Sequence, residues 1–393
     1  MAHEPIQVPA SVPRAARLAV AVYFFLAGVT FASWAVRIPA VQTRLGLSPG
    51  ELGVALLGTA SGELVSMNLA GYLAARFGSR SITVLASVCL SVMLPILALA
   101  PTLPILVVTL VLFGASFGAV NVAMNTQGVA VERRYTRSIF NSFHACYSLG
   151  GLTGSLVGGL LAAHDVAPWL HFLGVALLGI LLTLSVARYL VPAHADAQGA
   201  GVTFARPTRS LLALGLVAFC VLLGEGAMAD WSAVYLHTIL GAGVGLAAAG
   251  YAAFSIVMAA GRGLGDHLTD RLGPRVMVRL GGLVAAGGLT LALVVTWVPL
   301  ALVGFGLVGA GFSVIFPLVL SAAGRTSKQV SGTAIATVAL CGYVGFLVGP
   351  AVIGLGADAL SLRVALGIVV LLSLCAAAFA RVVSPRVAQE IHS

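Results

Sequence analysis

The sequence predicts an all-α membrane protein, with twelve transmembrane helices in two pseudo-symmetric six-helix bundles. Three observations carry this prediction. Of 393 residues, 60% are hydrophobic and only 8% are charged, against roughly 25% charged in soluble proteins. Such a chain cannot cover its own surface in water. The apolar residues gather in about twelve runs, each near the roughly 20 residues needed to cross a bilayer core. Finally, the chain repeats itself at one fixed offset.

The offset is 195 residues. Gly71-Tyr72-Leu73-Ala74-Ala75-Arg76-Phe77-Gly78-Ser79-Arg80 returns as Asp266-His267-Leu268-Thr269-Asp270-Arg271-Leu272-Gly273-Pro274-Arg275. The same shift carries Gly114-Ala115-Ser116-Phe117 onto Gly309-Ala310-Gly311-Phe312, and Gly150 and Gly154 onto Gly345 and Gly349. One shift through three segments marks an internal duplication. In an apolar chain that pattern points to a secondary transporter built from two repeats.

In chain order, residues 1–15 carry Pro5, Pro9 and Pro13 and read as a disordered cytoplasmic tail. The apolar runs are 16–36, 51–74, 81–100, 104–128, 138–162 and 168–190 in the first half. In the second half they are 210–236, 246–265, 276–297, 299–322, 331–355 and 363–383. Residues 16–190 and 210–383 are therefore the two bundles. The linker, 191–209, contains Pro192, Gly199, Gly201 and Pro207, and residues 384–393 form a second cytoplasmic tail. Helices fit because every backbone polar group in the membrane needs an internal partner. The runs are too long for barrel strands. A cleaved leader is not expected, because Arg37-Ile38-Pro39 after the first run is no small-residue cleavage site.

The net charge of +9 is a topology signal rather than a nucleic-acid footprint. With the N-terminus inside, seventeen of the 21 Lys and Arg residues fall on the cytoplasmic side and Arg262 lies in the cytoplasmic half of its helix. Only Arg37, Arg44 and Arg363 lie outside. This positive-inside bias places both termini in the cytoplasm, and the expected location is a bacterial inner membrane. The five cysteines sit within apolar runs without metal-ligand spacing and read as packing residues. No Gly-Lys-Ser phosphate loop, His-Glu-x-x-His or CxxC is present. Neither an ATP-driven pump nor an enzyme is expected, and neither is a cofactor or metal.

The duplicated loop resembles the motif of the major facilitator superfamily, roughly Gly-x-Leu-x-Asp-Arg-x-Gly-x-Arg, which lies between the second and third helices of each half. The resemblance implies a gate or latch drawn from Arg76, Gly78, Arg80, Asp266, Asp270, Arg271, Gly273 and Arg275. Its arginines would meet helix C-termini and an aspartate. The first copy has Ala75 where the aspartate belongs; the second keeps Asp270 but has Asp266 in place of the leading glycine. An acid-dependent latch is therefore expected to be stronger in the second half. The alternative is that these arginines only anchor topology.

Gly150-x-x-x-Gly154-Ser155-x-x-Gly158-Gly159 resembles the fifth-helix motif of antiporters, with Ser155 where proline is usual. Its repeat mate Gly345-x-x-x-Gly349-Pro350 keeps the proline. Gly150, Gly154, Gly158, Gly345, Gly349 and Pro350 read as helix-packing residues on small-residue stripes. Three segments also resemble a bacterial branch near fucose-permease-like and rhizopine-associated membrane proteins. They run from Met124-Asn125-Thr126-Gln127 to Arg134, from Phe143 to Gly151, and from Gly342 to Pro350.

Ionisable groups inside bilayer helices are expensive and start as functional candidates. Glu63 and Glu225 lie near the middle of the second and seventh runs, Asp230 in the outer half of the seventh, and His144 in the inner half of the fifth. All four are proton-coupling candidates, the two glutamates foremost. Each glutamate could instead be a permanently protonated packing group. Gly224 and Gly226 could break the seventh helix locally. Arg37 and Asp230 are matched in depth and form a candidate outer gate pair; otherwise Arg37 snorkels to the headgroups.

Gly114, Gly118, Asn121 and Asn125 share one face of the fourth helix, and Asn141, His144 and Ser148 share one face of the fifth. With Asn68, Trp34, Trp231, Tyr251 and Tyr343 they are the substrate-binding candidates. Amides bind hydroxyls and aromatic faces stack on ring C–H groups, so a polar, sugar- or cyclitol-like solute is expected. The asparagines could also be interhelical glue.

Three functions follow. The first is secondary transport of a small polar solute by alternating access, driven by protons, in a monomer within the lipid bilayer. The second is an efflux antiporter for amphipathic compounds, which calls for a Phe- and Met-lined cavity. The third is a membrane sensor that moves no solute, which usually carries a long cytoplasmic extension.

Overall fold

The computed structural model describes residues 14–135, 139–192, 208–325 and 331–383. Within these the protein is helical, with no strand. The helices of the first half are α1 (Arg14–Ala35), α2 (Ile38–Leu45), α3 (Pro49–Phe77), α4 (Ser79–Leu99), α5 (Leu103–Glu132), α6 (Phe140–Ala163) and α7 (Pro168–Val186). Those of the second half are α8 (Arg209–Thr238), α9 (Val244–Ala247), α10 (Ala249–Leu272), α11 (Pro274–Val294), α12 (Val298–Phe312), α13 (Ile315–Arg325), α14 (Ser331–Ala359) and α15 (Leu362–Ala378). Together they make twelve spans long and apolar enough to cross a membrane, each overlapping one apolar run of the sequence.

Two spans are interrupted. The first breaks at Val36-Arg37, between α1 and α2, where Pro39 enters the first turn of α2. The tenth breaks at Ser313-Val314, between α12 and α13. Pro317 lies four residues beyond Ser313. Its ring clashes with that carbonyl and offers it no N–H, which ends the regular ladder there. The seventh span behaves otherwise. Despite Gly224 and Gly226, α8 runs unbroken from Arg209 to Thr238, which corrects the expectation of a local break. Its neighbours press rings against those glycines and hold the backbone helical.

Spatial clustering divides the protein into two units. One comprises Met1–Trp34, Ser61–Val157 and Val166–Ala200; the other comprises Ala35–Ala60, Gly158–Asp165 and Gly201–Ser393. The division differs from the sequence boundary at 191–209. Two stretches of the first half, 35–60 and 158–165, cluster with the second half. Glycine backbones explain why. A Cβ on Gly53 of α3 would land on the Pro350 carbonyl oxygen and 3.0 Å from Gly354 Cα, and one on Gly354 would lie 2.9 Å from Gly53 Cα. Likewise Gly159 of α6 faces Gly245 of α9, each Cβ falling within 2.9 Å of the other's carbonyl oxygen. In a bilayer, helices gain little from hydrophobic exclusion and associate by close packing of such small residues.

The same device works inside each unit. Cβ atoms on Gly150 and Gly154 of α6 would strike the α1 carbonyls of Phe25 and Val29 (the latter at 2.6 Å), and one on Gly345 of α14 would strike Phe219 of α8. Gly349 packs on Leu223, 3.2 Å from its Cγ, and Pro350 lies inside α14. Gly158 lies in α6 beside Gly159. Large apolar side chains such as Leu160, Leu181 and Leu371 are 60–66% exposed. They form the coat expected where lipid is the solvent.

Candidate functional site

Each unit holds one polar cluster near mid-helix. In the first, α5 crosses α3 at Gly118, where an added Cβ would lie 2.6 Å from the Glu63 carbonyl oxygen. This close crossing lets short side chains span the two helices. Asn125 Nδ2 donates to Asn121 Oδ1 at 2.7 Å, and the Asn121 side chain stands beside the buried Glu63 carboxyl as its polar neighbour. Ser66 Oγ donates back to the Glu63 carbonyl at 3.0 Å. The result is an amide relay, Asn125 to Asn121 to Glu63, ending on an acid.

In the second unit, α8 and α10 meet around an ion pair. Arg262 Nη2 lies 3.5 Å from Glu225 Oε2. Glu225 stands sixteen residues into the 30-residue α8, near the middle of its span, and Arg262 reaches it from the C-terminal half of the span Val244–Gly265. The Glu225 side chain is 15% exposed and that of Arg262 is 41% exposed. Among the described residues Glu225 Oε1 is buried without a hydrogen-bond partner. The Tyr251 hydroxyl bonds Ser255 and lies within electrostatic reach of Glu225, Asp230 and Arg262. Tyr251, Ser255 and Arg262 are four and eleven residues apart, which sets them on one face of α10. Rings fill the flanks: a Cβ on Gly224 would lie 2.5 Å from the Phe312 ring, and one on Gly226 would lie 3.3 Å from Phe346.

Other candidates fall elsewhere. Asn68 is exposed, five residues beyond Glu63, about 140° around the helix. Trp34 and Trp231 are 1% and 0% exposed, so in this state they pack the interior and offer no ring face to a solute. His144 is exposed on one side and packs its ring against Phe24 and Phe140, with centroids 5.1 and 5.2 Å away. Tyr343 is half-buried in α14. The side chains of Asn141 and Asp266 lie outside the described residues, as do Arg137, Arg206, Lys328, Arg386 and most of the tails and linker.

The expected pair Arg37–Asp230 is not formed. Arg37 is buried at the N-cap of α2, where the chain turns out of α1, and has partners of its own. Asp230 instead faces Tyr251. The duplicated loops share a backbone feature. Gly78 (φ 84°) and Gly273 (φ 80°) each precede a helix in a conformation that only glycine adopts easily. Among the described residues Asp270 forms no ion pair with Arg271 or Arg275, and all three side chains are exposed. Arg76 bonds Tyr72 at 3.2 Å and lies over the Phe77 ring, while Arg80 is half-buried.

Two residues escaped the sequence reading as functional. Arg262 was assigned to topology, although its place eleven residues after Tyr251 puts both on one helix face. Gln127 is fully buried and clamps the start of the linker. Its Nε2 donates to Ser79 Oγ at 2.6 Å and to the Val191 carbonyl at 3.0 Å, and its Oε1 accepts from the Val191 N–H at 2.8 Å.

The model of the Major Facilitator Superfamily matches residues 19–343 and 214–392. The chain is 37% identical over 362 residues to an uncharacterized MFS-type transporter of Yersinia pestis, covering 92% of this chain and 94% of that one. It is 35% identical over 354 residues to the membrane protein MosC of Rhizobium meliloti, covering 88% and 85%. Among solved structures it resembles a variant of the nucleoside transporter NupG, with TM-score 0.79 and 12% identity, over 93% of this chain and 99% of that one.

Proposed function

Because the chain belongs to the Major Facilitator Superfamily and is a multi-pass bacterial membrane transporter, we propose that it moves a small polar solute by proton-coupled alternating access. The observation that carries this is the Glu225–Arg262 ion pair, with Glu225 near the middle of its span. A membrane interior tolerates such charges only where they face water or one another. A carboxylate whose sole ion-pair contact is 3.5 Å long, with its second oxygen unpartnered, is poised to accept a proton. Glu63 is the second candidate carrier, with Asn121 and Asn125 orienting it. The amide relay favours a hydroxylated solute over an amphipathic one, because paired amides match hydroxyl donors and acceptors. The protein is assigned to the inner membrane as a monomer, with both termini cytoplasmic.

Proteoliposomes loaded with a pH-sensitive dye test this. Sugars, cyclitols and cationic drugs are added outside, with Glu63→Gln and Glu225→Gln in parallel. A solute-dependent pH change lost in one variant supports the reading and identifies the carrier. Solute exchange without any pH change overturns proton coupling.

A further inference from the structure

We propose that Arg262 is the recognition group for a carboxylate on the solute, and that Glu225 occupies Arg262 whenever the solute is absent. The inference rests on the reading of Glu225 as a proton carrier and deepens it by naming the substrate class: a small hydroxylated monocarboxylate, such as a sugar acid.

The geometry points there by three steps. First, a guanidinium has five N–H donors in a planar fork suited to a carboxylate. Here its one ion-pair contact is a single 3.5 Å approach to one Glu225 oxygen. An arginine committed to structure makes short, two-pronged contacts; this one keeps most of its donors free. Second, 41% of the Arg262 side chain is exposed although its head group reaches the carboxyl of Glu225, which stands near the middle of its span. Exposure to lipid there would be costly, so the free donors face water, where a solute can reach them. Third, the surroundings offer no substitute counter-ion. From α10, only Arg262 and Tyr251 bring ionisable groups to the carboxyl of Glu225. On α8, Asp230 reaches Tyr251 but not Arg262. From α12, α14 and α15, Phe312, Phe346 and Val369 are the nearest groups to the glycines that flank Glu225.

The exchange balances. With the site empty, Glu225 carboxylate and Arg262 neutralise each other. A proton on Glu225 removes that partner, and an incoming carboxylate takes its place on Arg262. One proton and one anion enter together, so the empty and the loaded site are both neutral, and the unpaired guanidinium of the protonated site draws the anion in. Tyr251 and Ser255, on the same face of α10, are placed to bind hydroxyls of the same solute.

The test is equilibrium binding to the purified full-length protein in detergent, using radiolabelled D-gluconate and D-glucuronate against D-glucose and myo-inositol. For wild type, binding of the acids should tighten about tenfold per unit fall in pH, because one proton enters with each anion. Glu225→Gln, which is nearly isosteric, should bind the acids tightly with no pH dependence. Arg262→Gln should lose acid binding, and Arg262→Lys should restore part of it. Acid binding that is independent of pH in wild type would leave the anion site standing and remove Glu225 as the proton carrier. Glucose or inositol binding in preference to both acids, with a proton signal lost in Glu225→Gln, would keep the carrier and overturn the inference. Failure of both acids to bind overturns it as well.

Discussion

Substituting Gly118 by alanine should uncouple the amide relay from its acid. A Cβ at this position lies 2.6 Å from the Glu63 carbonyl oxygen, whereas ordinary van der Waals contact begins at 3.4 Å. The neighbouring atom is backbone, so no rotamer change relieves the overlap. The two helices must separate locally by the difference, about 0.8 Å. Asn121 lies three residues further along the same face. A separation of that size carries the Asn121 side chain out of hydrogen-bonding reach of the Glu63 carboxyl. Overpacking costs about 1–3 kcal/mol, and the lost bond to a buried carboxyl about 1.5–3 kcal/mol. Alanine's better helix propensity returns about 1 kcal/mol. The net expectation is a loss of about 1.5–5 kcal/mol. Gly174→Ala is the matched control, since no atom lies within 4 Å of its Cβ. Thermal unfolding in detergent and solute-driven proton uptake should both separate the two variants. If Gly118→Ala unfolds and transports like Gly174→Ala, the relay is not built on this crossing.

Further outcomes follow from other sites. Gly78→Ala and Gly273→Ala should each destabilise by about 1–3 kcal/mol, from backbone strain alone. Gly71→Ala, with open space around it, should not, and calorimetry can rank the three. Gln127→Met should leave both polar groups of buried Val191 without a partner, costing about 2 kcal/mol or more and speeding tryptic cleavage at Arg188. Ser48 and Glu51 form a reciprocal cap on α3, with Ser48 N to Glu51 Oε2 at 2.9 Å and Glu51 N to Ser48 Oγ at 3.1 Å. Ser48 Oγ also donates to Asp358 Oδ2 on α14 at 2.8 Å. Ser48→Ala should lose about 0.5–2 kcal/mol, and a cysteine at Gly46 should label faster with a membrane-impermeant maleimide. Unchanged labelling would show that this contact does not protect Gly46 from solvent.

The twelve spans were legible because lipid imposes one rule on every helix: about 20 apolar residues in a row. The glycine stripes were legible too, since four-residue spacing fixes a face wherever the helix lies. Which partner each face meets was not. Gly53 and Gly354 carry no signal beyond being glycine, yet they are why 35–60 clusters with the second half. Charge was read by depth alone, which cannot see that Arg262 lies 3.5 Å from Glu225 on another helix. Depth matching also suggested Arg37 with Asp230, but depth alone does not fix a partner, and no ion pair between them is found among the described residues. Trp34 and Trp231 show the same limit: an aromatic residue in a polar stretch reads alike whether it lines a cavity or plugs a core.

The crossing of α3 and α14 at Gly53 and Gly354 has a kinetic consequence. Interfaces built from interleaved side chains must unthread rotamers one by one before they part. Here the two main chains lie directly against each other, with nothing between them to disentangle. Such a joint is short-ranged: about an ångström of separation forfeits a quarter to a half of its dispersion attraction. It behaves as a magnetic clasp rather than a zip, rigid when shut and quick to release. A side chain introduced on either strand of the clasp would slow the motion in both directions, whatever it did to the resting stability.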